Sequence, residues 1–264
     1  VIISKNQARE ALPTTSGVSI ESEVCSYPNQ DVAVYTYDVD LNPVKAQISF
    51  KCLNSICNIG ETSVQGSDAI LNAKMPRCVN GFVIAQAEGY ADAKYQVSTN
   101  EENKVNILLD KKYSVGLDLG EEIKQAVISF SSEDYSATVV YPEMKSVELV
   151  EGYYNVSIYA YDNSSLVFPA VKDSKCVTVP ESGLAGILGA ETEKCFDINI
   201  PSMTVEFAVV GGGMSQEYIT AEQLKNSREL NIRVPFFVDK PKDLQELQSN
   251  YLKVGDEQLI LEFE

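Results

Sequence analysis

Six cysteines stand in a chain that has no histidine, and that pairing limits what the chain can fold into more than any motif does. Four fall in the first third, at Cys25, Cys52, Cys57 and Cys78, and two later, at Cys176 and Cys195. Thiolate metal sites and nucleophilic cysteines usually recruit histidine as ligand or base. An even cysteine count in tyrosine-rich, strand-like sequence reads instead as three disulfides, and hence as an oxidising compartment. A four-thiolate site built from Cys52-x4-Cys57 with Cys25 and Cys78 is the competing reading, but zinc and iron–sulfur sites favour two-residue spacings. No metal ligand and no cofactor is therefore assigned. Cys176 and Cys195 are each other's only local option. A bridge between them closes a loop that contributes about 3 kcal/mol in the chain-entropy model. The four early cysteines allow three connectivities. Of these the spacing favours a tight Cys52–Cys57 loop, with Cys25–Cys78 pinning the N-terminal segment.

The chain has 264 residues, enough for two domains, and a 44% hydrophobic content that supports packed cores. A net charge of −17 argues against nucleic acid as a partner, because phosphate binding needs a basic surface. No stretch approaches the ~18–20 apolar residues that span a bilayer. The start, Val1-Ile2-Ile3-Ser4-Lys5, lacks the layout of a signal peptide. An exported chain of this sequence is expected to be a mature form or a fragment of a longer precursor.

Period-2 apolar alternation dominates and predicts strands. Val32 to Tyr37 is one case, and Val44-Lys45-Ala46-Gln47-Ile48-Ser49-Phe50 places Val44, Ala46, Ile48 and Phe50 on one face. Gly81–Ala87, Tyr95–Val97 and Lys104–Leu109 follow, then Ala126–Phe130, Ala137–Tyr141, Ser146–Val150 and Tyr153–Tyr161. Short strands separated by turn signals describe antiparallel sandwiches. The glycine-rich run between Cys176 and Cys195 reads as a long loop. Gly211-Gly212-Gly213 reads as a flexible hairpin tip that ends a strand at Val210, since it lacks the lysine and hydroxyl of a phosphate loop. Thr220 starts a capped helix with Gln223 at its third position; a second helix is expected over Lys242–Tyr251, and a strand over Leu259–Phe263. The fold class is thus mainly β, tandem antiparallel β-sandwiches with a small α+β C-terminal addition. The divisions are 1–30 as an N-terminal arm or linker, 31–112 and 113–210 as sandwiches, and 211–264 as an extension packed on the second.

Asp38-x-Asp40-x-Asn42-Pro43-Val44-x-Ala46-x-Ile48-x-Phe50, then Ala85-x-Ala87-Glu88-Gly89-Tyr90 and Val105-x-Ile107-x-Leu109, make residues 31–112 resemble the carboxypeptidase regulatory-like (transthyretin-like) β-sandwich family. The middle departs from it: the cysteine-bearing insertions at Cys52–Gly60 and Met75–Gly81 resemble those of secreted archaeal proteins. Val147-x-Leu149-x-Glu151-Gly152-Tyr153 repeats the glycine-tyrosine turn in the second module. The resemblance implies a stabilising or recognition module that accompanies activity rather than performing it.

Asn155-Val-Ser157 and Asn163-Ser-Ser165 both fit the N-glycosylation sequon, making Asn155 and Asn163 candidate acceptors. The acidic pairs Asp38/Asp40, Glu121/Glu122 and Glu133/Asp134 lack the loop spacing of a calcium motif and read as solvated turns. No serine stands beside a base, and no catalytic residue is assigned. The expectation is a non-catalytic extracellular or cell-surface protein, structural or adhesive. Its partners would be copies of itself or other surface proteins, with polysaccharide a further candidate. Two alternatives stand beside it: a filament or lattice subunit whose Val1-Ile2-Ile3 strand completes a neighbour's sheet, and a substrate-recognition accessory module of a larger secreted enzyme.

Overall fold

The computed structural model describes residues 23–168, 170–180, 191–200, 202–237 and 240–264. The expected Val1-Ile2-Ile3 strand lies outside them, as does most of the expected arm. The chain divides into two units between Lys111 and Lys112, one residue from the division read in the sequence.

The first unit begins with a 3-10 turn at Glu23–Ser26 and holds β1 (Gln30–Asp38), β2 (Gln47–Cys52), β3 (Ser55–Glu61), β4 (Ser63–Gln65), β5 (Asp68–Met75), β6 (Gly81–Gln86), β7 (Ala93–Val97) and β8 (Lys104–Leu109). Two four-stranded sheets form, ordered β4-β5-β1-β8 and β3-β2-β6-β7. Their inward residues interleave in one core: Val32, Val34 and Ile107 come from one sheet, and Ile48, Phe50 and Val83 from the other. Val44, Ala46, Ile48 and Phe50 are all buried, as the alternation requires. The sheets are not wholly antiparallel. β1 and β8 run parallel, in register from Ala33↔Lys104 to Asp38↔Leu109, because the intervening strands return the chain to the same end. Thr36 and Thr62 sit inside this core without cost, since Thr36 Oγ1 donates to Val44 O at 2.6 Å and Thr62 Oγ1 accepts from Ala46 N at 2.9 Å.

All six cysteines are bridged, but the early four pair otherwise than the spacing suggested: Cys25 with Cys57, and Cys52 with Cys78. The hairpin register explains why. Cys57 pairs with Phe50 and Cys52 with Ser55, so the two cysteines share the buried face as diagonal neighbours. Diagonal positions are separated by roughly 7–8 Å, beyond the usual disulfide reach. Each therefore bonds out of the hairpin. Cys57 fastens the 3-10 turn, and Cys52 fastens the β5–β6 connection, where Thr99 Oγ1 accepts from Cys78 N at 2.9 Å and donates to Pro76 O at 2.8 Å.

The second unit contains β9 (Tyr113–Asp118), β10 (Gln125–Ser131), β11 (Ser136–Tyr141), β12 (Ser146–Leu149), β13 (Gly152–Phe168), β14 (Val171–Pro180), β15 (Glu191–Ile200), β16 (Met203–Ile219), α1 (Ala221–Asn226), β17 (Glu229–Arg233), α2 (Leu244–Asp256) and β18 (Ile260–Phe263). Its sandwich pairs a β11-β10-β13-β16 sheet with a β12-β9-β17-β18 sheet, around a core that includes Val115, Ile128, Phe130, Val156, Leu230 and Leu259. Here too the first strand has a parallel neighbour, β17 beside β9.

The tail is therefore not an addition packed on a finished sandwich. β17 and β18 are half of its second sheet, and the expected division at 210/211 falls inside β16. Gly211-Gly212-Gly213 is likewise no hairpin tip; it lies within β16, where other backbone comes too close for a side chain. A Cβ on Gly211 would stand 2.6 Å from Pro235 O, and one on Gly213 would stand 2.9 Å from Glu257 O. The 235–237 and 257–259 segments hydrogen-bond there, through Gly212 N to Pro235 O and Met214 N to Glu257 O. Thr220 caps α1 in a capping box with Gln223, as read in the sequence. Asp243 caps α2, which runs five residues beyond its expected end.

The glycine-tyrosine turn also shifts by one residue. Tyr153 is exposed, whereas Tyr154 is fully buried. Its hydroxyl donates to Val150 O at 3.0 Å and accepts from Val150 N at 3.3 Å, closing the β12–β13 corner.

Candidate functional site

β13 and β16 outgrow their sandwich. β10 pairs with β13 only as far as Tyr161, yet β13 and β16 continue together to Phe168↔Met203. β14 and β15 then pair from Val171↔Ile200 to Pro180↔Glu191. Three residues advance on each strand between those two ladders, so the register carries through unchanged. Pro169 and Pro201 occupy this junction in the sequence, and neither has an N–H to give a ladder. Beyond its last pairing with β10, β13 runs about 20 Å from Asp162 to Phe168, at ~3.3 Å per residue. β14, in a separate two-stranded sheet with β15, runs about 30 Å from Val171 to Pro180 at the same rise. The two ends of the run expected to be a loop, 177–180 and 191–194, are thus paired strand. Only its central residues, 181–190, lie outside the described set.

Two irregularities mark where the ribbon leaves the sheet. β16 holds one extra residue between its Ala160 and Tyr161 pairings, and β13 holds one between Asn163 and Leu166. Such bulges bend and twist a strand pair. α2 braces the root: Asn250 Nδ2 donates to Val209 O at 2.8 Å, Val254 packs with Val209 and Phe237, and the Tyr159 and Tyr251 rings lie 5.9 Å apart. Burial, followed by the neighbouring Tyr251 hydroxyl, pushes the Tyr161 phenol well above its ordinary value. Lys240 Nζ meets Asp162 Oδ2 at 2.7 Å, and that bond is the main reason the Asp162 carboxyl is held below its usual value. A cleft of about 480 Å³ opens beside these residues, lined by Asn163, Leu166, Val167, Lys240 and Lys242 among others.

The Cys176–Cys195 bridge joins directly opposed residues of β14 and β15. Both cysteines are exposed, whereas Cys52, Cys57 and Cys78 are only 5–6% exposed. Exposed bridges are the labile ones. Graded reduction with dithiothreitol followed by alkylation is expected to label Cys176 and Cys195 first; labelling of Cys52 and Cys78 ahead of them would contradict the burial pattern.

The two sequons occupy different settings. Asn155 lies within the β10-β13-β16 sheet, and its Oδ1 accepts from Gln216 Nε2 at 2.8 Å. Asn163-Ser164-Ser165 lies at the second bulge, with Asn163 exposed. The acidic pairs are spent on turns. Burial raises the Asp38 pKa, but hydrogen bonds from Asn42 Nδ2, Asn42 N and Asp40 N outweigh it and leave the carboxyl lowered. Glu121, Glu122, Glu133 and Asp134 are exposed. Among the described residues no group of three or more Cys, Asp or Glu side chains is placed to hold a metal, and no helix is long and apolar enough to cross a membrane.

The ribbon escaped sequence reasoning, although Val177-Thr178-Val179 and Phe196-x-Ile198-x-Ile200 carry β-branched residues and period-2 alternation. No family model, curated protein or solved structure significantly matches the chain.

Proposed function

We propose that the chain is a non-catalytic extracellular protein of a cell surface, structural or adhesive, in which the disulfide-stapled sandwiches form the body and the β13–β16 ribbon makes the contact. The observation that carries this reading is the ribbon itself: two 17-residue strands leave the sandwich, continue as β14 and β15, and are cross-linked near their far end. An isolated two-stranded ribbon is marginal in water, so a bridge across it and a helix at its root maintain an element that its own hydrophobic burial does not. The three disulfides favour an oxidising location outside the cell. The resemblance of residues 31–112 to carboxypeptidase regulatory-like modules favours the same non-catalytic role.

The test is a variant in which residues 169–202 are replaced by an Asn-Gly turn joining Phe168 to Met203. The expected result is an unchanged unfolding transition of the sandwiches with loss of adherence to the cells that produce the protein. Undiminished adherence would overturn the reading.

Asn163 is the glycan acceptor on this account. Asn163 is the last paired residue before the bulge, with Ser164 and Ser165 outside the ladder, whereas Asn155 is flanked by paired residues on both sides and would have to surrender Gln216. Mapping of glycopeptides from the secreted protein is expected to find the glycan removed by Asn163→Gln and untouched by Asn155→Gln; the reverse would contradict the assignment.

A further inference from the structure

We propose that one face of the β14–β15 ribbon docks on an anionic lipid surface, an assignment that rests on the ribbon being the contact element. Side chains alternate across a ribbon, and the register sorts them onto two faces. One face carries Lys175 beside Phe196, Val177 beside Lys194, and Val179 and Ile198. The other carries Ser174 beside Asp197, Thr178 beside Glu193, and the Cys176–Cys195 bridge. Phe196 is 59% exposed and Val177 48%, because a two-stranded ribbon has no second layer to cover either face. Among these described side chains the charges on the apolar face are lysines, and those on the polar face are carboxylates. By register Asp173, opposite Ile198, falls on the apolar face and Lys172, opposite Asn199, on the other, both at the end nearer the sandwich, so beyond them the lysines and carboxylates separate.

In a chain of net charge −17, this separation orients the ribbon. An anionic surface attracts Lys175 and Lys194 and repels the face bearing Glu193 and Asp197. Lysine stems lie along apolar surface and carry their ammonium groups to the phosphates, while Val177, Phe196 and Ile198 enter the boundary between headgroups and acyl chains, as amphipathic membrane-surface elements do. A bilayer accepts such side chains without matching pockets, which suits a narrow ribbon better than a shaped protein partner.

The test is co-sedimentation of the full chain with vesicles of equimolar phosphatidylglycerol and phosphatidylcholine, compared with phosphatidylcholine alone. Binding to the anionic vesicles is expected, weakening as salt is added. Phe196→Asp combined with Ile198→Asp is expected to abolish it. Lys175→Gln combined with Lys194→Gln should weaken it about thirtyfold, from two lysines lost near an anionic surface. Thr178→Asp, on the other face, should leave it unchanged. Non-reducing peptide maps that retain the Cys176–Cys195 link establish that each variant keeps its ribbon. Absence of wild-type binding, equal binding by the double aspartate variant, or self-association of the chain through this face in light scattering would overturn the assignment. If vesicles fail to bind while the ribbon deletion still abolishes cell adherence, the lipid assignment alone falls. If adherence survives the deletion, the contact role falls with it.

Discussion

Gly212→Val is expected to destabilise the second unit by about 4 kcal/mol, combining overpacking with a strained backbone. Gly212 has φ +144°, which L residues rarely adopt, and its added Cβ would run into the Ile158 carbonyl oxygen and stand 2.9 Å from Val254 Cγ2. Ile158 lies on the central strand β13 and is fully buried, as is Val254 on α2, so neither has room to retreat. For a unit of this size the loss lowers the melting temperature by roughly 10 °C, readable by calorimetry. Val254→Ala added to Gly212→Ala is expected to recover only part of the loss, since it relieves the helix contact and leaves both the carbonyl clash and the backbone angle. An unchanged melting temperature in Gly212→Val would mean that the 254–259 segment does not pack on β16 as described.

The second large effect lies at the β12–β13 corner. Tyr154→Ala is expected to cost about 3–5 kcal/mol, the range for emptying an aromatic site in a core. Its ring meets Phe130 edge-on, with centroids 6.3 Å apart and planes at 86°. Tyr154→Phe keeps that packing and removes only the hydroxyl, leaving the buried Val150 N–H and C=O without their partner. That change is expected to cost about 1–3 kcal/mol. Urea denaturation of the two variants separates packing from hydrogen bonding. A Tyr154→Phe protein as stable as the parent would show that the corner bond contributes nothing.

Many strands were legible where one face meets a core, although β5, with buried Ala69 and Met75, and β9, with buried Val115 and Leu117, were not read. Val32 and Val34, Ile48 and Phe50, Ile128 and Phe130 alternate with polar neighbours because a two-layer sandwich buries every second residue. What escaped was set by chain segments far apart in sequence. Gly211–Gly213 looks like a break until the 235–237 and 257–259 segments are placed against it, and their approach leaves no mark at the glycines themselves. The disulfide pairing escaped for a related reason. Cys52 and Cys57 are close in sequence, yet the β2–β3 register places them diagonally, so each bonds to a segment outside the hairpin. β14 and β15 have period-2 signals at Val177-Thr178-Val179 and Phe196-x-Ile198, but no core is there to demand strands, and the glycine-rich centre of the run, 181–190, lies outside the described residues. The contact face of Lys175, Val177, Lys194 and Phe196 follows only from the register that pairs them. Thr220 and Gln223, by contrast, form their capping box within four residues, and such short-range chemistry is fully written in the local sequence.

The most direct test of the whole arrangement is peptide mapping of the non-reduced, alkylated protein. It is predicted to yield three cross-linked pairs, Cys25–Cys57, Cys52–Cys78 and Cys176–Cys195, with no alkylated cysteine. A Cys52–Cys57 link, or six alkylated thiols, would contradict both the hairpin register of the first sandwich and the oxidising location on which the extracellular reading depends.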